Sequence, residues 1–525
     1  MVTHRPDGGC GMLPCVWSVL ALLVVLLARP EAAVAQDVPS GWQRTPQQVA
    51  DAAVSDPRVR EERAGRGRTV VDVAPRLQER VWDVSVFAGR EEIAVAVVDD
   101  ASGRVLEAWT GPQVQWPMAR GYPGAFGGAV NAPWVWIVLG LLFLAPFLRG
   151  PPSIVHLDVA ALLAFSGAYA AFNVPHLKLS ATVATVLLAY LLARMLWVAW
   201  RGGSAPAPTW PASVFVVGLV FLLGFRAIVS ITGGNVVDVG YSGVIGADRL
   251  PHGEALYGAF PDDNEHGDTY GPVAYAAYVP FELAFPWSGT WDELPAARAA
   301  AVAFDLACVA LCWLLGRRLG GPRLGLLLAY LWAAYPFTLL VMASSANDAL
   351  VGAFVLGALL LAARPVGRGV VGAMAGLTKF APLALLPLLA TYRHGRRGLL
   401  LTAAAALVTG ALLLAPFDVG VFWDRTLGFQ AGRSSPFSLW GSWELAARVQ
   451  PVATLAAVAL AVAVAFVPRR RDRTTLCALA AAVLIALQLA LEYWFYLYLV
   501  WFVALVWAAL LAPSDGARRS DAARV

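Results

Sequence analysis

From residue 133 onward, long apolar runs return again and again, and they restrict this chain more than any other feature. They cover residues 133–148, 157–172, 177–200, 210–231, 295–315, 324–343, 349–363, 399–416, 451–467, 476–491 and 494–512. A helix rises about 1.5 Å per residue, so the longer of these runs reach across about 30 Å of hydrocarbon, and the shorter ones require a thinned bilayer. A chain that is 59% hydrophobic and only 14% charged cannot hide so much apolar surface in a soluble core. The pattern predicts an all-α polytopic membrane protein with about 11 transmembrane helices.

The first 35 residues carry His4 and Arg5, an apolar stretch from Leu13 to Leu27 and Ala33-Val34-Ala35, the layout of a cleaved signal peptide. Residues 36–130 turn polar. Apolar positions alternate in Trp82-Asp83-Val84-Ser85-Val86 and from Ile93 to Val98, with Asp100-Ala101-Ser102-Gly103 as a turn, which predicts a small extracytoplasmic α+β module. Cys10 and Cys15 fall in the signal segment and Cys308, Cys312 and Cys477 in apolar runs, so no disulfide or thiolate metal site is expected. The net charge of +4 is carried in short loops and implies no nucleic-acid partner.

With the N-terminal module outside, simple alternation places Arg149, Arg201, Arg317, Arg318, Arg323, Arg364, Arg368, Arg469–Arg473 and the tail at 514–525 in the cytoplasm. Residues 369–392 test this scheme. A full crossing there would export Arg393, Arg396 and Arg397, so the segment is read as a re-entrant hairpin turning at Thr378-Lys379-Phe380. Three polar outer stretches remain, 232–294, 344–348 and 417–450, together with Glu492 and Tyr493 at the top of the last hairpin. A connection of some 60 residues is far longer than joining two helices requires.

Asp238 follows the fourth run closely and is the best-placed general base for a sugar hydroxyl, with helix capping as its ordinary alternative. The turn holding Asp262, Asp263, Glu265, His266 and Asp268 has the charge to attract a divalent cation but not the spacing of a calcium loop, and a solvated acidic turn is its plain reading. His266, Asp268 and Tyr270, with Tyr241 nearby, have the hydrogen-bonding groups to line a sugar pocket. Lys379 at the hairpin tip costs about 2.5–3.5 kcal/mol to insert unless paired, and either a lipid phosphate or a snorkelled position would satisfy it. Arg433, near Gln430 and set among serines and aromatics, suits a phosphate or sugar, while Trp423, Trp440 and Trp443 suit an interfacial belt. Asn347-Asp348 stands at the mouth of a span, as Glu492 does.

The order of an outer Asp, a long first loop and a later GLTKFAP turn resembles the GT-C glycosyltransferases, and within them the bacterial polyprenol-phosphate-mannose-dependent α-mannosyltransferases. The segments that carry the likeness are DVGYSGVIGADRLPHGEALYG, TYGPVAY, ANDALVGAFVLGALLLAARP and AGLTKFAPLALLPLLATYR, within about residues 206–513. The stretch VWDVSVFAGREEIAVAVVDDASGRVLEAWTG resembles the hairpin of PepSY-type domains. The first resemblance implies a polyprenyl-phosphate sugar donor, a glycolipid or glycan acceptor, Asp238 as base, Lys379 and Arg433 at the donor phosphate, and Tyr241, His266, Asp268, Tyr270, Asn347, Asp348, Gln430 and Glu492 around the substrates. It also implies a cell-membrane location with the site outside. The three additional transmembrane helices within residues 131–205 and the N-terminal module depart from the family pattern. A transporter or lipid flippase without chemistry is the alternative, disfavoured by the lack of matching half-repeats and by sparse charges in the spans. A scaffold or receptor explains the module but not the long outer loops.

Overall fold

The structure is a computed structural model and describes residues 38–115, 120, 126–128, 130, 132–148, 152–202, 210–393, 395–433, 435–468 and 472–513. The expected signal peptide and tail, Arg149 and Arg469–Arg471 lie outside the described residues. The chain divides into two compact units at Gln115/Trp116, where the sequence pattern carries the soluble module on to about residue 130.

The first unit is α+β. Helices α1 (Pro46–Ser55) and α2 (Pro57–Arg63) precede four antiparallel strands, β1 (Thr69–Arg76), β2 (Val81–Ala88), β3 (Glu91–Asp99) and β4 (Val105–Thr110), in the order β1-β2-β3-β4. The alternation read in the sequence is the buried face: Trp82, Val84 and Val86 of β2 meet Ile93, Ala96 and Val98 of β3, and Val49, Ala53 and Val59 of the helices cover them. Gly103 takes φ +69° in the β3–β4 turn, a conformation that L side chains rarely adopt.

Asp100, almost fully buried, anchors the N-terminal edge of this unit. Its carboxylate accepts the Gln43 and Arg44 amides at 2.9 and 3.0 Å and the Trp82 indole N–H at 3.0 Å. Burial pushes its pKa up, but these donors outweigh burial and hold it below the ordinary carboxylate value. A carboxylate whose pKa is depressed by folding stabilises the fold above its unfolded pKa, and that contribution disappears as pH falls through the folded value. Asp100→Asn should therefore weaken this unit by about 1–3 kcal/mol at pH 7. Protease susceptibility of residues 38–115 in rising urea checks this, and the gap from wild type should narrow below the carboxylate range.

The second unit is a helical assembly. Among its described residues six helices are long and apolar enough to cross a membrane: α4 (Ile154–Asn173), α5 (Leu177–Arg201), α6 (Ala212–Gly233), α8 (Pro295–Gly320), α14 (Gly395–Leu414) and α16 (Arg473–Ala490). A seventh arises if α9 (Pro322–Ala334) and α10 (Pro336–Ala343), bent by 59° at Pro336, count as one. Four of the apolar runs form shorter helices: α3 (Pro133–Leu144), α11 (Asp348–Leu360), α15 (Gln450–Ala463) and α17 (Val503–Leu511), the last preceded by a 3-10 turn at Tyr496–Trp501. At 1.5 Å per residue such helices reach only about 14–21 Å, so an apolar run does not by itself make a full span. Leu400, Leu407, Val408 and Leu412 of α14 are exposed, a face that suits lipid. The unit is thus compatible with a multi-pass membrane protein.

The spans hold more charge than the sequence pattern suggests, but in pairs. Asp158 accepts from Arg194 at 2.9 Å and from the Tyr190 hydroxyl at 2.7 Å. Arg226 donates to Asp305 at 2.5 Å, to Thr338 at 3.0 Å and to the Ala333 carbonyl at 3.1 Å, while the Trp332 indole also donates to Asp305 at 2.8 Å.

The segment after α11 folds back on itself. Helix α12 (Pro365–Gly376) leads to a turn at Leu377–Phe380, and a 3-10 stretch (Ala381–Leu385) with α13 (Leu386–Thr391) returns beside it. Gly376 faces Leu383, and Gly372 faces Leu386 and Leu389; a Cβ on Gly376 would come within 2.2 Å of Leu383. At the base, buried Arg368 donates to the carbonyls of Tyr392, Ala390 and Ala362 and to the Thr402 hydroxyl. The chain therefore leaves the hairpin at the end where it entered, with Lys379 at the tip and exposed Arg393, Arg396 and Arg397 just beyond the base.

Candidate functional site

The site is assembled where three connections meet. After α6, residues 234–237 run extended, and the Asn235 and Val237 amides donate to the Ala343 and Ser344 carbonyls at 2.9 and 3.1 Å. This lays Asp238, first residue of α7 (Asp238–His252), beside the turn that ends in Asn347 and Asp348. Val237 holds the cap position of α7, not Asp238. The Asp238 carbonyl accepts from Ser242 at 2.7 Å and from Asn264 at 3.2 Å, fixing its backbone. The residue keeps an exposed surface, but the surrounding protein takes water from its carboxyl. Loss of water there raises its pKa above the ordinary carboxylate value, the Val239 amide, Arg433 and Lys379 pull it back, and Asp348 adds to the rise.

The hairpin tip supplies the second part. A Cβ on Gly271 would lie 2.0 Å from the Leu377 carbonyl, and the Val273 amide donates to that oxygen at 3.1 Å, so the Gly-Pro pair of the 232–294 connection sits directly on the tip. Lys379 Nζ donates to Asp348 Oδ1 at 2.7 Å, and Trp501 Nε1 donates to the same oxygen at 2.9 Å. The rings of Tyr270, Tyr498 and Trp501 surround the ammonium at 5.3–5.7 Å. Lys379 is held by these partners and is 7% exposed.

The 417–450 stretch, which includes a π-helical turn at Asp424–Gly428, completes the wall. Its Arg433 guanidinium lies 3.8 Å from the Tyr493 ring centroid and 5.5 Å from that of Phe429. Between these elements is a cavity of about 560 Å³. Its lining combines polar side chains, Tyr270, Lys379, Gln430, Arg433, Glu492 and Tyr493, with apolar ones, Leu427, Pro451, Leu487 and Leu491. Burial keeps the Tyr270 phenol well above its usual pKa, so it is a neutral hydrogen-bonding group. Asp238 is not in the cavity wall but stands close enough for Lys379 and Arg433 to act on its charge.

The other expected site residues are placed elsewhere. Tyr241 is fully buried, packs on Trp287 and Trp291, and donates to Asp263 at 3.1 Å. Asp268 is taken by Arg425 at 2.7 Å and the Gly258 amide at 2.6 Å. His266 is exposed and lies over Phe429. Asp262, Asp263 and Glu265 point to the surface, and among the described residues no three His, Cys, Asp or Glu side chains converge as a metal site. Asn347 is buried behind Asp348, away from the cavity wall.

Two residues of the wall, Trp501 and Tyr498, and the pairing role of Asp348 behind it have no reading in the sequence. A lone lysine inside a hydrophobic segment requires a counter-charge, and Asp348 at a helix mouth was an available signal for it. Nothing local marks Trp501 or Tyr498. Compared with family models, curated proteins and solved structures, the chain matches none.

Proposed function

We propose that this chain is a membrane glycosyltransferase that moves a sugar, mannose by the resemblance of its segments, from a polyprenyl-phosphate donor to a glycolipid or glycan acceptor outside the cytoplasm. One observation carries the reading: a cavity lined by two cations and by aliphatic side chains, with a carboxylate of raised proton affinity beside it. An amphiphile with an anionic phosphate and an apolar chain suits such a lining. In the step itself the Asp238 carboxylate takes the proton of an acceptor hydroxyl. That oxygen forms a bond to the anomeric carbon, and the bond from this carbon to the phosphate oxygen breaks on the opposite face, its electron pair leaving with the phosphate. Lys379 and Arg433 balance the departing charge. Configuration at the anomeric carbon inverts.

The protein would reside in the cell membrane with its cavity and N-terminal module on the extracytoplasmic side, as the loop arginines require. The test is direct. Purified protein is given polyprenyl-phosphate mannose labelled in the sugar, with membrane extract as acceptor source; transfer of label supports the reading. No transfer from any lipid-linked sugar, with movement of the intact lipid across proteoliposomes instead, would establish the flippase alternative.

A further inference from the structure

Lys379 carries a feature that a purely structural ion pair does not need. An ammonium has three N–H donors, and among the described residues Asp348 Oδ1 is the one acceptor it reaches. The three rings at 5.3–5.7 Å offer no second oxygen acceptor through their faces, and Lys379 lines the cavity. Asp348, for its part, is fully buried, is not in the cavity wall and has no partner for Oδ2 among the described residues, so it touches nothing that enters the cavity. Its Oδ1 is fixed from a second direction by the Trp501 indole. The carboxylate is thus a rigid post, reached from the start of α11 and from the 3-10 turn at Tyr496–Trp501, that sets where the tip of the hairpin places its charge.

Resting on the glycosyltransferase reading, we infer that Asp348 is a positioning residue: it holds the Lys379 ammonium at the cavity wall so that its spare donors engage the phosphate of a polyprenyl phosphate without leaving the ion pair. This revises the expectation that Asp348 contacts substrate. It also separates Lys379 from Arg433. The arginine, with its guanidinium 3.8 Å from the Tyr493 ring centroid, carries its N–H donors in a planar fork, whereas the lysine presents a point charge whose position depends on one oxygen.

The test measures binding of a fluorescent polyprenyl monophosphate to the purified full chain, with the uncharged polyprenol as control and thermal unfolding measured alongside. Asp348→Asn should lose both stability and binding, because a buried ammonium is left without its counter-charge. The pair Asp348→Asn with Lys379→Met removes both charges, so stability should return while phosphate binding stays about tenfold or more below wild type. Asp348→Glu keeps the ion pair but displaces the ammonium, and should fold normally while binding roughly several-fold more weakly. Wild-type binding by the double variant and by Asp348→Glu would overturn the inference and leave the pair a structural tie. A wild-type protein that does not distinguish the phosphate from polyprenol overturns the donor reading itself, and the inference with it.

Discussion

Asp238→Asn is expected to slow sugar transfer by about two to four decades, the range that a positioned general base supplies, while binding of polyprenyl phosphate is retained. Asn is nearly isosteric, and the bonds that fix residue 238 run to its backbone carbonyl from Ser242 and Asn264, so the start of α7 survives the change. What is lost is the proton acceptor. The pH profile gives a second, independent reading. Loss of water around its carboxyl raises the Asp238 pKa, against the pull of the Val239 amide and the two cations, and a base works only when ionised. The wild-type kcat/KM should therefore climb with pH through a range above the ordinary carboxylate value of about 3.9 and level off beyond it, and the variant should lack this limb. Transfer by Asp238→Asn within about threefold of wild type would remove this residue from the mechanism.

Some of this arrangement was legible in the sequence because it rests on local pattern. Alternation in β2 and β3 is imposed by a sheet with one covered face, and Trp82, Val84 and Val86 are buried as that pattern requires. The hairpin at 365–391 was legible from charge, since Arg393, Arg396 and Arg397 follow an apolar run too closely for a full crossing, and Gly372 and Gly376 let its two limbs approach. Helix length was less legible. Residues 349–363 and 451–467 read as apolar runs, but composition does not mark where a helix stops, and these stop short of a full span. Long-range pairing was not legible. Tyr241, Asp268 and His266 have the chemistry of a sugar pocket, yet Asp263 within the same connection and Arg425 and Phe429 of the 417–450 stretch are their partners. Nothing within a window of sequence tells a directed polar group from a satisfied one; the partner of Asp268 is 157 residues away.

The same limit applies with larger energetic consequence to Arg226 and Asp305, 79 residues apart on α6 and α8. Either side chain alone would be an intolerable charge within a span. Together, with Trp332, Thr338 and the Ala333 carbonyl, they form a network that pins α6 and α8 against the bend between α9 and α10. Arg226→Met should leave Asp305 buried without its cation and lower stability by about 3–5 kcal/mol, and Asp305→Leu should do the same to Arg226. The double substitution removes both charges and should return most of that loss, since replacing a buried ion pair by apolar groups of similar size is often neutral. Cys308 and Cys312, buried on α8 close to Asp305, provide the measurement: a thiol-reactive dye that fluoresces on conjugation reports when this helix opens on heating. The singles should react at much lower temperature than wild type and the double close to it. None of these residues faces the cavity, so the double variant should transfer sugar at a rate close to wild type. A double variant as unstable as the singles would mean that the pair fixes helix register rather than cancelling charge. The bend at Pro336 and the placement of Asp348 beyond it would then depend on that register.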